Sequence, residues 1–362
     1  MGKHHSLKDA SNRRISRIDV RNMVLAMAAL TVFVVAMIAS YSGAFAKPTL
    51  HHMNVAVAGP QQIVDAIRGQ DTLSVTQVDD AAAARGQVYD RTSDAAFVVE
   101  PTGGLKIYVA SGGGRSVANA AEAVGRGIAA KAGLAPAVED VAPTSPADPQ
   151  GTVEFYAVIF LSIGATVGAA LFGRMMGSVR RASTLALRTL SLAAYSALLA
   201  SGVTVYVDGV LGALTSHTWQ IFGALWLYAM AVSGAVTGVA AAFGTIASMG
   251  VTMFLVIVGN AAAAGPVGKP LLSGFYTKLN AIVPQGSGVA LLRSVEYFGG
   301  NAALTPIVTL ATWGAAGCAL AMIAVLAPRA WTNYRASHDR YRARRSGRDR
   351  AVLRPGFLSP AD

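Results

Sequence analysis

Cysteine is nearly missing from this chain: one residue, Cys318, among 362. No internal disulfide and no Cys-based zinc site can form. Charge is also scarce. Asp, Glu, Lys and Arg make up 14%, where an average soluble chain carries about 25%. A water-soluble globular protein is therefore excluded, and the chain reads as a polytopic membrane protein. Acids are the scarcer charge, 19 against 30 Lys and Arg, for a net charge of +11. A basic excess can serve nucleic acid, but here the cations cluster beside apolar runs, so no nucleic-acid partner is expected. Signatures of chemistry are missing as well. "GPVGKP" at 265–270 has a glycine-lysine pair, but its proline and spacing fail the phosphate-loop pattern. The six histidines include His4-His5 and His51-His52, and adjacent side chains diverge too far to share a metal. No nucleophile elbow, H-E-x-x-H or paired carboxylates stand out. The chain is read as a non-enzyme with no cofactor and no metal.

What is abundant is long hydrophobic sequence. A membrane-crossing helix needs about 20 apolar residues. Six runs qualify: 22–46, 153–173, about 185–207, 220–242, about 245–264 and 306–328. Arg188 lies near the start of the third, where an arginine can reach the interface. Glu154 and Asp208 fall at span ends, where solvation is cheap. Asn260, inside the fifth run, is expected to bond to a neighbouring helix. The first run ends in "AFAK", a small-x-small pattern, but exceeds the 7–15 residues of a signal-peptide core. It reads as an uncleaved signal anchor.

Orientation follows the positive-inside rule. Residues 1–21 carry six cations, the link after the second run carries Arg174, Arg180 and Arg181, and the tail from Arg329 holds nine arginines. With six spans these all share one side, the cytoplasm. Segment 47–152, with eight cations and eleven acids, then faces outward from the plasma membrane.

That segment has the pattern of a small α/β domain. "MNVAVAG" is a strand before a Gly-Pro turn, "QQIVDAIRG" an amphipathic helix, and "LSVTQV" an alternating strand. "DDAAAARGQVY" opens on aspartates suited to an N-terminal cap. "AAFVV" and "GLKIYVA" are strands, and Val117, Ala121, Val124 and Ile128 stripe a third helix. The order is β-α-β-α-β-β-α. Residues 131–151, with four prolines, read as a linker back to the membrane.

The stretch "VDDAAAARGQVYDRTSDAAFVVEPTGGLKIYVASGG", its strand-helix-strand prelude and the six-span plan resemble type 2 ABC export permeases. The branch is the one with a large extracytoplasmic domain between spans one and two, related to the phage infection protein group. "GFYTKLNAIVPQGSGVALLRSVEYFGG", 274–300, is similar to that branch's loop before the last span. The long coiled-coil insert of larger phage infection proteins is not present.

The resemblance implies a fold and a set of partners. The fold is an α-helical polytopic membrane protein of six transmembrane helices, with a small α/β extracytoplasmic domain inserted after the first. Its parts are a basic cytoplasmic helix (1–21), transmembrane helix 1 (22–46), the α/β domain and Pro-rich linker (47–152), a five-helix membrane domain (153–328) and a basic cytoplasmic tail (329–362). A re-entrant segment, 266–304, lies within the membrane domain. The partners are a separate ATP-binding subunit, a second permease as homodimer or heterodimer, and membrane lipid. In "GRMMGSVRRASTLALR", 173–188, a short coupling helix would set Met175, Met176 and Val179 in a groove of the ATPase, with Arg180 and Arg181 at its rim. These arginines read equally as topology determinants touching anionic lipid. The re-entrant hairpin would form an outer gate of Phe275, Pro284, Gly286, Gly288 and Tyr297. The implied function is export of an amphiphile: a lipid, drug, peptide or envelope precursor. A non-transporting envelope receptor or scaffold remains the alternative.

Overall fold

The computed structural model describes residues 17–177, 179 and 181–327. The protein is mostly helical, with five helices long and apolar enough to cross a membrane and one small mixed sheet. Helix α1 (Arg17–Phe45) leads into the α/β unit, which runs β1 (Met53–Ala58), α2 (Gln61–Arg68), β2 (Leu73–Gln77), α3 (Ala81–Tyr89), β3 (Ala95–Val99), β4 (Gly104–Val109), α4 (Arg115–Ala132) and β5 (Ala135–Asp140). The strands order as β2-β1-β3-β4-β5, all pairs parallel except β3 with β4.

Alternation along the strands builds two layers. Val55, Val57, Phe97, Leu105 and Ile107 face α2 and α4, where Val64, Ile67, Ala121 and Ile128 meet them. Ala56, Ala58, Ala96 and Val98 point the other way, onto Ala84 and Val88 of α3. Buried on both faces, β1 and β3 are near-continuous apolar runs, as parallel strands inside a sheet must be. The expected cap of α3 is present: the Asp80 side chain accepts from the Ala83 amide at 2.8 Å. Helix α4 stops at Gly133, in the left-handed region at φ 68°, which glycine enters at least cost.

The linker 131–151 differs from expectation in containing β5. Pro136 sits in this strand, paired with Leu105. It is tolerated because β5 is an edge strand and proline's missing N–H breaks no inner ladder.

The helices long and apolar enough to cross a membrane are α1, with apolar span Val20–Phe45, α5 (Val153–Met176), α6 (Ala182–Thr204, prolonged by a π-helical stretch to Val210), α7 (Thr218–Phe243) and Leu304–Ala327, the last helix among the described residues. The fifth expected span is shorter than read. Gly244, at φ 86°, turns the chain after α7, and α8 (Thr245–Phe254) with its π-helical continuation ends at Gly259. At 1.5 Å per residue that element is about 22 Å long, short of the ~30 Å hydrocarbon layer. Two short helices follow, α9 (Gly274–Asn280) and α10 (Pro284–Tyr297), completing the numbering with α11 (Leu304–Ala327). Of the segment 1–21, only Arg17–Arg21 is described, and it is continuous with the span helix α1. The tail 329–362 lies outside the described residues.

Two polar readings are corrected. Arg188 does not reach the interface. It is 4% exposed, and its Nη2 donates to the Ala169 carbonyl of α5 at 3.2 Å. Gly173 makes the room, since a Cβ there would lie 2.7 Å from that nitrogen. Glu154 is fully buried rather than solvated at a span end, because the α/β unit and α10 cover the start of α5. Asn260 is also buried, and its Oδ1 finds no partner among the described residues.

Candidate functional site at the domain–membrane junction

Helix α10 is the hub on which the α/β unit and the membrane helices meet. Its proline at N1 suits a helix start. Gly286 lets the chain fold back tightly, as a Cβ there would fall 2.1 Å from the Asn280 carbonyl oxygen. Gly288 packs against Tyr228 of α7 and Val158 of α5. Gln285 donates to the Leu255 carbonyl at 3.0 Å and the Ser162 hydroxyl at 3.3 Å, tying α8 and α5 to α10. Glu296 accepts from the amides of Thr215 and Ser216 at 3.0 and 3.1 Å, pinning the α6–α7 connection.

Arg293 joins this hub to the α/β unit. It is 4% exposed. Its Nη1 donates to the carbonyls of Gly113 and Ala264, and its Nη2 to those of Gly151 and Gly265, all at 3.1–3.2 Å. A buried guanidinium is costly unless its donors are met; four carbonyls from three chain segments satisfy both terminal nitrogens, and Nε has no partner among the described residues. Glu154, on which the Arg293 charge acts, has no hydrogen-bond partner for either oxygen among the described residues, and neither does the Tyr297 hydroxyl. The Tyr297 ring lies against Gly112, where even a Cβ would come within 2.4 Å.

Beside this latch is a cavity of about 160 Å³ between the α3–β3 loop, the turn at Lys269–Leu271 and α10. Arg91, Lys269, Arg293 and Asp94 supply its charge. Arg91 has φ 61°, directly after α3, a left-handed position that glycine occupies more cheaply. Its side chain is held in place: Nη1 donates to the Ala290 carbonyl at 2.9 Å and the Ser294 hydroxyl at 2.5 Å, and the guanidinium stacks 4.9 Å from the Phe298 ring centre. Backbone strain at a residue fixed this firmly points to use. Burial lowers the Arg91 pKa to about 10, with the nearby Arg293 charge adding to the shift and Asp94 opposing it; the group stays a cation at neutral pH. Burial pushes the Asp94 carboxyl up, while the Asn54 amide, donating to it at 2.9 Å, and then Lys269 and Arg91 hold it down.

The sequence-derived gate residues are not gathered at one point. Pro284, Gly286 and Gly288 form the first turn of α10, Tyr297 lies at its far end, and Phe275 is 62% exposed on α9. Only Gly286 of the five lines the cavity. Of the coupling set, Met175 is 72% exposed at the end of α5, Met176 is half-buried and Arg181 is exposed before α6. Val179 turns inward onto Leu185, Ala321 and Val325. Arg180 lies outside the described residues. Helix α5 runs to Met176 and α6 begins at Ala182, so no separate coupling helix lies between them among the described residues.

Sequence reasoning passed over Arg91, Asp94, Lys269 and Arg293. The signal for Arg293 was a lone cation in the apolar run "GVALLRSV". Lys269 was weighed only as a failed phosphate loop. No family model, no curated protein and no solved structure matches this chain.

Proposed function

We propose that this chain is the permease subunit of an ABC-type exporter, moving an amphiphile with a separate ATP-binding chain. The observation that carries the reading is the hub at α10. One short helix bonds to α5, to α8 and to the α6–α7 connection, and through Arg293 to the α/β unit. A tilt of the membrane helices would therefore be passed to the cavity at the junction without slack. In this reading the α/β unit is extracytoplasmic. The short α8, whose end bonds to α10 at the junction, returns the chain from α7 to the side of the α/β unit, so the cation-rich termini and the link at 174–181 all face the cytoplasm of the plasma membrane, following the Lys/Arg bias. There Met175 and Arg181 offer the ATPase an exposed contact, and two permease chains, alike or similar, enclose the path.

Two measurements test this. Co-expression with candidate ATP-binding subunits should yield a complex whose ATP hydrolysis falls when Met175 and Arg181 are both changed to Ala. Failure of any ATPase to associate would favour the receptor or scaffold reading. For orientation, a cysteine in place of exposed Asp71, in a Cys318→Ser background, should react with an impermeant maleimide on intact cells. Protection until the membrane is opened would reverse the topology and remove the exporter reading with it.

A further inference from the structure

We propose that the junction cavity is a binding site for a phosphate group, the headgroup phosphate of an amphiphile that enters beside α9. Three cations line it and one carboxylate opposes them. The cations are not equally available. Arg293 spends Nη1 and Nη2 on carbonyls, and its remaining donor, Nε, is fully buried with no partner among the described residues, so Arg293 contributes chiefly its charge. Arg91 spends only Nη1; its Nε and Nη2 make no hydrogen bond among the described residues. Lys269 is exposed at the mouth and forms no ion pair among the described residues. A guanidinium edge and an ammonium at one small cavity are the donors that phosphate oxygens take. The cavity is many times the ~10–15 Å³ that a single water needs. Its lining of three cations and a carboxylate would lose solvation against methylenes, so the apolar part of the ligand is placed outside. Phe275 on α9 and Ile282 just after it are 62% and 61% exposed, and offer it a surface. The left-handed backbone at Arg91 is then explained: a glycine would relieve the strain and lose the donor.

The site is assigned whether or not the chain is an exporter, and is measured without an ATPase. The full chain in detergent is titrated with dioctanoyl phosphatidylglycerol, with inorganic phosphate, and with dioctanoylglycerol, which keeps the tails and lacks the phosphate. Phosphatidylglycerol should bind and dioctanoylglycerol should not. Lys269→Gln, at an exposed residue that leaves the fold intact, should weaken binding about tenfold, the size of one lost charge-assisted hydrogen bond. Asp94→Asn, which keeps an acceptor for the Asn54 amide, should tighten it severalfold. Inorganic phosphate that binds as tightly as the lipid, and is equally sensitive to Lys269→Gln, would uphold the phosphate site and identify its ligand as a soluble one. Equal binding of both dioctanoyl compounds, or binding of the phosphate probes unchanged by both substitutions, would overturn the proposal.

Discussion

Helices α1 and α7 are both long enough to cross a membrane, yet they are used in opposite ways. The span of α1 is the most apolar of the five, and 6% of it is buried; α7 is less apolar, and 61% of its span is buried. In lipid, apolar side chains gain nothing by leaving the tails for another helix, so association depends on close packing and hydrogen bonds. Helix α1 carries Leu25, Leu30, Val34, Val35 and Ile38 on an exposed surface, bulky groups suited to lipid. Helix α7 carries Gly234 and Gly238, which meet Gly314 and Gly317 of α11 backbone to backbone. Hydropathy marks both as membrane helices; small residues decide which becomes a core.

The contrast is broken most severely by bulk in α7. Gly238→Leu would set a Cβ 2.2 Å from the Gly317 carbonyl oxygen. It should cost about 3 kcal/mol or more, seen as loss of monodisperse protein in detergent. Next comes the latch. Arg293→Met leaves four carbonyls and a buried Glu154 uncompensated and should cost about 3 kcal/mol, with earlier proteolysis of the segment 141–152. A smaller effect follows where α1 does touch the rest: Ser40 and Tyr276 share a hydrogen bond of 3.0 Å. Tyr276→Phe should lose about 1 kcal/mol and loosen α1 without unfolding α7, read by hydrogen exchange in each helix.

On the solvated sheet the scale drops again. Arg85 and then Lys106 hold the Glu139 carboxyl below its usual range. Its stabilisation is present above the unfolded-state carboxylate pKa and is lost as pH falls through the lowered, folded-state value. Because the group is about one-third exposed, Glu139→Gln should cost about 0.5 kcal/mol at neutral pH and nothing in acid. Least of all, Leu30→Ala on the lipid face of α1 should leave the thermal midpoint within experimental error, a change within about 0.5 kcal/mol. A larger loss would show that α1 has a protein neighbour in the folded assembly.

The α/β unit was legible almost element by element because each signal is local. Aspartate caps, a period of two in "LSVTQV" and a striped α4 each depend on a few adjacent residues. β5 was missed because Pro136 argues against an inner strand, and only the pairing with β4 makes it an edge. The fifth span read too long because apolar length continues past Gly259 into "NAAAAG", although the chain there bends beneath the α/β unit. The gate set was chosen from the single stretch 274–300, which spans α9 and α10, yet the charged cavity draws on residues 91, 94, 269 and 293, far apart in the chain.

Composition and periodicity alone determined that this protein has helices long and apolar enough to span a membrane and carries a small α/β unit, since both follow from how many apolar residues stand together and at what spacing. Which helices form the core, that Glu154 and Arg188 are buried, and that three distant cations meet over one carboxylate were decided only by the tertiary structure. Burial and charge convergence are properties of neighbours in space, and no local pattern encodes them.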